Sequence, residues 1–365
     1  MTATALESTV ESLLASSKGI LAADESFPTI EKRFKALNIS SSEENRGAYR
    51  EMLFTTPGLS EFISGVILFD ETVRQRMAHG VPIAIPVALA QRGMIPGIKV
   101  DKGTASLANF PCEKITQGLD GLRDRLIEYR ELGARFTKWR AVIAIGEHIP
   151  TRNCIEANAN ALALFAALSQ EAELVPIVEP EILMNGSHTI AHCEEVTNAT
   201  LKSVFGALFE HRVVLEQMLL KTGMVLSGRE CPQQADIAEV AETTLRCFRR
   251  AVPAAVPGIV FLSGGQADEV ATRRLNAICK AGDFPWKLSF SFGRALQSPA
   301  LKIWKGSPAN VEAAQAALHH RAKCNGFALQ GKYSAQMENT KTGNTYGHNH
   351  NNNFQPGATG STVRQ

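Results

Sequence analysis

The sequence predicts an α/β protein, a single (β/α)8 TIM barrel, on three observations. Short apolar or β-branched runs recur along the chain, each is followed by a longer stretch with helical spacing, and about eight such units fit in roughly 300 residues. An open doubly wound sheet reaches that number less readily than a closed barrel, and no linker-like stretch divides the middle of the chain.

The elements follow in order. Met1 to Lys18 reads as a polar helix with Leu6, Val10, Leu13 and Leu14 on one face. Strands are expected at Gly19 to Glu25, Gly65 to Phe69, Gly97 to Val100, Phe136 to Ile143, Leu174 to Glu181, Val213 to Lys221, Gly258 to Ser263 and Leu288 to Phe292. Between them, Gln117 to Leu132, Arg152 to Glu171, His188 to Glu210, Pro232 to Ala251 and Gln266 to Ala281 have helical character, several of them rich in Ala, Leu and Glu. Residues 1–337 are thus expected to form one barrel with its N-terminal helix. From Glu338 to Gln365, Asn, Thr, Gly and His dominate and apolar residues nearly vanish, which predicts a mobile polar tail.

Composition narrows the function. Lys and Arg total 38 against 36 Asp and Glu, so no broad field exists to draw nucleic acid or an anionic membrane, and any basic site must be local. Seven scattered cysteines never form a Cys-x-x-Cys pair, which argues against a disulfide framework or a zinc cluster and suits a reducing compartment. The N-terminus lacks a long apolar signal-peptide core, and no apolar run approaches the roughly 20 residues that span a bilayer. The expectation is a cytoplasmic protein with neither membrane nor nucleic-acid partner.

In a barrel of this class the chemistry sits at the C-terminal ends of the strands, so charges that end apolar runs carry the functional argument. Asp24 and Glu25 follow Ile20 to Ala23. Lys99 interrupts Gly97, Ile98 and Val100, and Lys138 and Arg140 flank Trp139. Glu179 and Glu181 flank Pro180, and Lys221 closes the run Met218, Leu219, Leu220. Alternation across a strand puts Lys138 with Arg140 on one face, and Glu179 with Glu181 on another. Any one pair could be a salt-bridged strand end; four strands each delivering charge at the same end point to acid/base chemistry. Lys221 could be an ordinary snorkelling lysine, or a nucleophile kept neutral by its apolar surroundings or a neighbouring cation such as Lys138.

Two glycine turns look suited to phosphate. Ser263-Gly264-Gly265 follows Ile259 to Leu262, and Gly293-Arg294 follows Phe290 to Phe292, where loops after the seventh and eighth strands commonly bind phosphate. Backbone N–H groups, a helix N-terminus and the Arg294 fork would supply the anion site.

Taken in order, several stretches resemble class I fructose-bisphosphate aldolases from near Lys18 to about Tyr333. They include Gly19-Ile20-Leu21-Ala22-Ala23-Asp24-Glu25-Ser26, Gly97-Ile98-Lys99-Val100-Asp101-Lys102-Gly103, Lys138-Trp139-Arg140, Val178-Glu179-Pro180-Glu181, Leu219-Leu220-Lys221, Phe261-Leu262-Ser263-Gly264-Gly265-Gln266 and Gly293-Arg294-Ala295-Leu296-Gln297. The resemblance implies reversible cleavage of fructose 1,6-bisphosphate to dihydroxyacetone phosphate and glyceraldehyde 3-phosphate in glycolysis and gluconeogenesis. It implies that Lys221 forms the Schiff base, Glu179 is general acid and base, and Asp24 takes the hydroxyl proton as the C3–C4 bond breaks. Lys138 would balance charge near Lys221 and Asp24, and Glu181 would tune Lys221 and Glu179. Arg140 and Lys99, with Ser26 and Arg33, would contact the far phosphate, and Ser263, Gly264, Gly293 and Arg294 would hold the other.

A protonated imine is itself the electron sink, so the resemblance implies neither metal nor cofactor. His188 and His192 beside Cys193 have spacing zinc could use, but read as ordinary helix-surface residues. The resemblance also implies a homotetramer. Two departures stand out: animal relatives end in a tyrosine, whereas Gln365 ends this chain with Tyr346 inside the tail, and Phe27-Pro28-Thr29 replaces small polar residues near the far phosphate.

Overall fold

A computed structural model describes residues 4–78 and 82–339. Eight parallel strands close into a barrel in strict sequence order: β1 (Gly19–Ala22), β2 (Ile63–Leu68), β3 (Ile95–Lys99), β4 (Phe136–Ile143), β5 (Val175–Ile182), β6 (Leu219–Thr222), β7 (Gly258–Phe261) and β8 (Lys287–Phe292), with β8 pairing back onto β1. Helices between the strands form the outer ring.

The period-2 pattern explains how one barrel can be oily below and charged above. Ile20, Ala22, Ile67, Phe136, Val175, Ile177, Leu219 and Val260 form one interior cluster at the lower end. The helix Ala5–Leu13 closes that end, adding Val10, Leu13 and Leu14 to the same cluster. Glycines make room for this plug. A Cβ on Gly65 would lie 2.7 Å from Leu13, and one on Gly258 would lie 2.5 Å from Leu14. Continuing each strand by two residues at a time reaches Asp24, Lys138 and Arg140, Glu179 and Glu181, and Lys221 at the upper end.

Capping decides where several helices begin. Thr151 and Thr189 accept hydrogen bonds from the backbone N–H groups of Cys154 and His192, starting helices Arg152–Glu171 and Ile190–Glu210. Asp236 does the same for Ile237–Ala251, so that helix starts five residues after the expected Pro232.

Other boundaries also moved. The expected strand Val213 to Lys221 is only Leu219–Thr222, because Leu215–Gln217 turns as a short 3-10 segment before the sheet is joined. Residues 117–121 lie outside the helix Leu122–Glu131, where Gly118 and Gly121 take positive φ. A small antiparallel hairpin, Thr104–Ser106 with Lys114–Thr116, was not expected. At the far end, Glu338 sits in the 3-10 turn Ala335–Asn339 and is bound by Arg321 and Tyr333. Residues 340–365 of the expected mobile tail lie outside the described residues.

Candidate active site

Neighbouring strand registers bring the charged residues together. Arg140 lies opposite Glu179 across β4 and β5, and Lys99 lies opposite Lys138 across β3 and β4. Two residues beyond the pair Ile177 and Leu219 come Glu179 and Lys221. A chain of alternating charge results. Lys221 Nζ is 3.1 Å from Glu179 Oε1, Glu179 Oε2 is 3.1 Å from Lys138 Nζ, and Lys138 Nζ is 2.6 Å from Asp24 Oδ2.

Burial makes these contacts matter. Lys221 and Glu179 are each 3% exposed and Lys138 4%, so charge unbalanced here would be costly. Burial alone pushes the Asp24 carboxyl up, but Lys138, Lys221 and Lys99 together hold it well below the usual carboxylate range. Burial likewise presses Lys138 down, while Asp24, Glu179 and Asp101 outweigh it and hold the ammonium charged above the ordinary lysine range.

Around this core the phosphate candidates form two groups. On one side, Lys99 Nζ contacts Asp101 Oδ1 at 2.6 Å, and Arg140 is paired with Glu181 while its side chain remains 40% exposed. Asp101 also accepts from the Arg140 N–H at 3.3 Å and the Gly103 N–H at 3.1 Å, which fixes the start of the loop after β3. On the other side, Ser263 lies two residues past β7, which stops at Phe261 and not at the expected Ser263, Gly264 and Gly265 take φ of +56° and +90°, and Gly293 caps the helix Arg294–Trp304. A Cβ on Gly265 would lie 2.8 Å from Arg229 Nη2 and 3.0 Å from Arg294 Nη2, so two guanidinium groups converge on this turn. Burial together with the positive charge of Arg33, Arg229 and Arg140 lowers the Arg294 pKa, although Glu181 pulls the other way. An anion would relieve that crowding.

Ser26 caps the helix Phe27–Lys35 by position, and its Oγ lies 3.2 Å from Thr29 Oγ1. Arg33 is engaged in an ion pair with Glu25.

Sequence reasoning missed the support beneath β1. Glu25 is buried between Arg33 and Arg50, and Gln297 donates to both Glu25 Oε1 (2.8 Å) and the Ala22 carbonyl (2.6 Å). Tyr49 donates to Gln297 Oε1 at 2.9 Å. This network fixes the strand end that carries Asp24. Gln297 was visible only as the last residue of a matching stretch, and nothing local marks Arg50 or Arg229 as partners.

Of the three residues read as helix-surface positions, only His192 is one, with Nδ1 3.2 Å from Glu195; His188 precedes the helix Ile190–Glu210, and Cys193 is buried beside Thr197. The described residues gather one His, Cys and carboxylate cluster, on the outer helix Val311–Leu329 and the turn that follows it.

Over residues 5–353 the chain matches the family described as Glycolytic, fructose-bisphosphate aldolase class-I. It is 57% identical to the probable fructose-bisphosphate aldolase class 1 of Xanthomonas campestris, over 90% of this chain and 98% of that one. It is 51% identical to the cytosolic fructose-bisphosphate aldolase 4 of Arabidopsis thaliana, over 88% of this chain and 81% of that one. A solved fructose-bisphosphate aldolase from Plasmodium falciparum, in ternary complex with TRAP and a small-molecule inhibitor, superposes with a TM-score of 0.89 at 48% identity. The match covers 91% of this chain and 95% of that one.

Proposed function

The chain belongs to the class-I fructose-bisphosphate aldolase family, and on that premise we propose that Lys221 is the amine through which its reaction runs. The reaction is reversible retro-aldol cleavage of fructose 1,6-bisphosphate to dihydroxyacetone phosphate and glyceraldehyde 3-phosphate through a lysine Schiff base, a step of glycolysis and gluconeogenesis.

The observation that carries the assignment is the 3.1 Å pairing of Lys221 Nζ with Glu179 inside the charged barrel mouth. Lys221 must lose a proton to attack the C2 carbonyl, and Glu179 is the acceptor within reach. Attack forms a carbinolamine. Return of the proton from Glu179 to the carbinolamine hydroxyl expels water and leaves the protonated imine. Asp24, ionised throughout the neutral range, then accepts the proton of the C4 hydroxyl as the C3–C4 electron pair moves into the imine. The aldehyde product departs and a neutral enamine remains on Lys221. Its protonation at C3 and the hydrolysis of the resulting imine release the ketone and restore the amine.

Lys138 bridges Asp24 and Glu179 and so couples the two proton carriers. Glu181 acts through Arg140, which it holds at the rim beside Lys99. The glycine turn at Ser263, Gly264, Gly293 and Arg294 suits one phosphate. Lys99 and Arg140 suit the other, the far phosphate, with Ser26 and Arg33 adding contacts there. Two anchors of this kind fix the ketone relative to Lys221, which is the entropic part of catalysis.

Borohydride reduction in the presence of dihydroxyacetone phosphate is expected to place a stable adduct on the peptide containing Lys221. Lys221→Ala is expected to lose activity by on the order of 10⁴-fold or more. An adduct on any other lysine, with Lys221→Ala active, would overturn the assignment. Ratios of kcat/KM for fructose 1,6-bisphosphate, fructose 1-phosphate and sedoheptulose 1,7-bisphosphate rank the sugars, with the first expected to lead. No helix of the described residues is long and apolar enough to cross a membrane, and with the cytosolic relative this supports a cytoplasmic enzyme. The family supports a homotetramer.

A further inference from the structure

The helix Val311–Leu329 places His320 and Cys324 one turn apart on one face, and the turn Ala335–Asn339 folds back over them so that Glu338 meets both. His320 Nε2 lies 3.3 Å from Glu338 Oε2 and 3.6 Å from Cys324 Sγ. All three donor atoms lie within 4.8 Å of one another. A tetrahedral zinc ion with Zn–N and Zn–O of about 2.1 Å and Zn–S of about 2.3 Å separates its ligands by about 3.4 Å between nitrogen and oxygen and about 3.6 Å between nitrogen and sulfur. The 3.3 Å and 3.6 Å separations therefore match edges of one such tetrahedron.

We infer that His320, Cys324 and Glu338 form a binding site for a thiophilic divalent cation of the zinc class, outside the barrel and distinct from the aldolase centre. The ligand set is the mixed imidazole, thiolate and carboxylate kind that such cations favour. Its outer layer is already built. Arg321 Nη1 spans both Glu338 oxygens and Tyr333 donates to Oε1 at 2.7 Å, which fixes the carboxylate with Oε2 toward His320. His320 also lines an open groove of about 840 Å³, together with His319, Lys323 and Gln336, so a fourth position has access to water or an added ligand. As the sulfur–metal bond forms, the Cys324 thiol proton passes to solvent and no group changes oxidation state. The bound ion would staple the turn 335–339 to the long outer helix, beside the ion pair that now holds it.

Full-length protein stripped with chelator and titrated with Co²⁺ tests the site. Binding of one Co²⁺ per chain is expected, with a thiolate-to-cobalt charge-transfer band in the near ultraviolet. Cys324→Ala is expected to abolish the band, and His320→Ala, a change at the groove wall, to weaken binding by about ten-fold or more. No band in the wild type, or a band unchanged in both variants, overturns the inference. Excess EDTA is expected to leave fructose 1,6-bisphosphate cleavage unchanged in the wild type and in Cys324→Ala; loss of cleavage in both would show that the reaction itself needs a metal and overturn the separation of this site from the aldolase centre.

Discussion

At the scale of single residues, the barrel mouth is governed by Lys138. Its ammonium stands between two carboxylates that are both buried, so neither Asp24 nor Glu179 must face the other unscreened. The direction of the Asp24 shift yields a pH prediction. A carboxyl whose pKa falls on folding contributes stability that is fully present above its unfolded value, about pH 4, and is lost as pH falls through the folded value. Asp24→Asn is therefore expected to flatten the acid limb of stability against pH by about one proton, with little change in that slope near neutrality. Urea unfolding measured at steps across the acid range would show it, and an acid limb identical to wild type would refute the linkage. The Lys138 shift has the opposite sense: its contribution is full below the ordinary lysine range and fades only as pH rises past it.

At the scale of elements, strand alternation divides labour along each strand. Phe136 at the lower end of β4 is core, and Lys138 and Arg140 above it on the same face belong to the site. Trp139, one step out of phase, stacks on Phe165 of the helix Arg152–Glu171 at 5.6 Å. Tight lower packing supports this arrangement. A Cβ on Gly97 would lie 2.3 Å from the Phe136 ring, against a fully buried residue with little room to turn. Gly97→Ala is expected to destabilise the fold by about 1–3 kcal/mol, read as a lower denaturant midpoint, and Phe136→Leu in the same chain should recover part of it. A midpoint unmoved by Gly97→Ala would mean that β3 and β4 can shift freely. The strands were legible because inward and outward residues differ chemically at alternate positions. Their ends were less so: apolar Val213 and Val214 resemble strand residues, yet they precede the 3-10 turn Leu215–Gln217 that feeds β6.

For the whole molecule, closure of the sheet in sequence order turns eight separate strand ends into one ring of functional groups. Leu164 and Phe209, the latter 79% exposed, lie on the outer helices Arg152–Glu171 and Ile190–Glu210, which pack against each other. Sedimentation equilibrium is expected to give the mass of four chains, and a monomer at micromolar concentration would remove the homotetramer from the proposal. By itself the sequence determined the class of fold, the residues at the strand ends and the two glycine turns, since hydrophobic period, charge placement and turn chemistry are local properties. Which of these groups touch is set by how the strands register and the barrel closes. Lys221 meeting Glu179, Arg229 joining Arg294 at Gly265, and Gln297 tying Glu25 to Ala22 depend on strand register and barrel closure, which bring together residues up to 275 positions apart. Separations of that kind leave no periodic trace in the chain, because the energy that fixes them comes from burying the whole core at once.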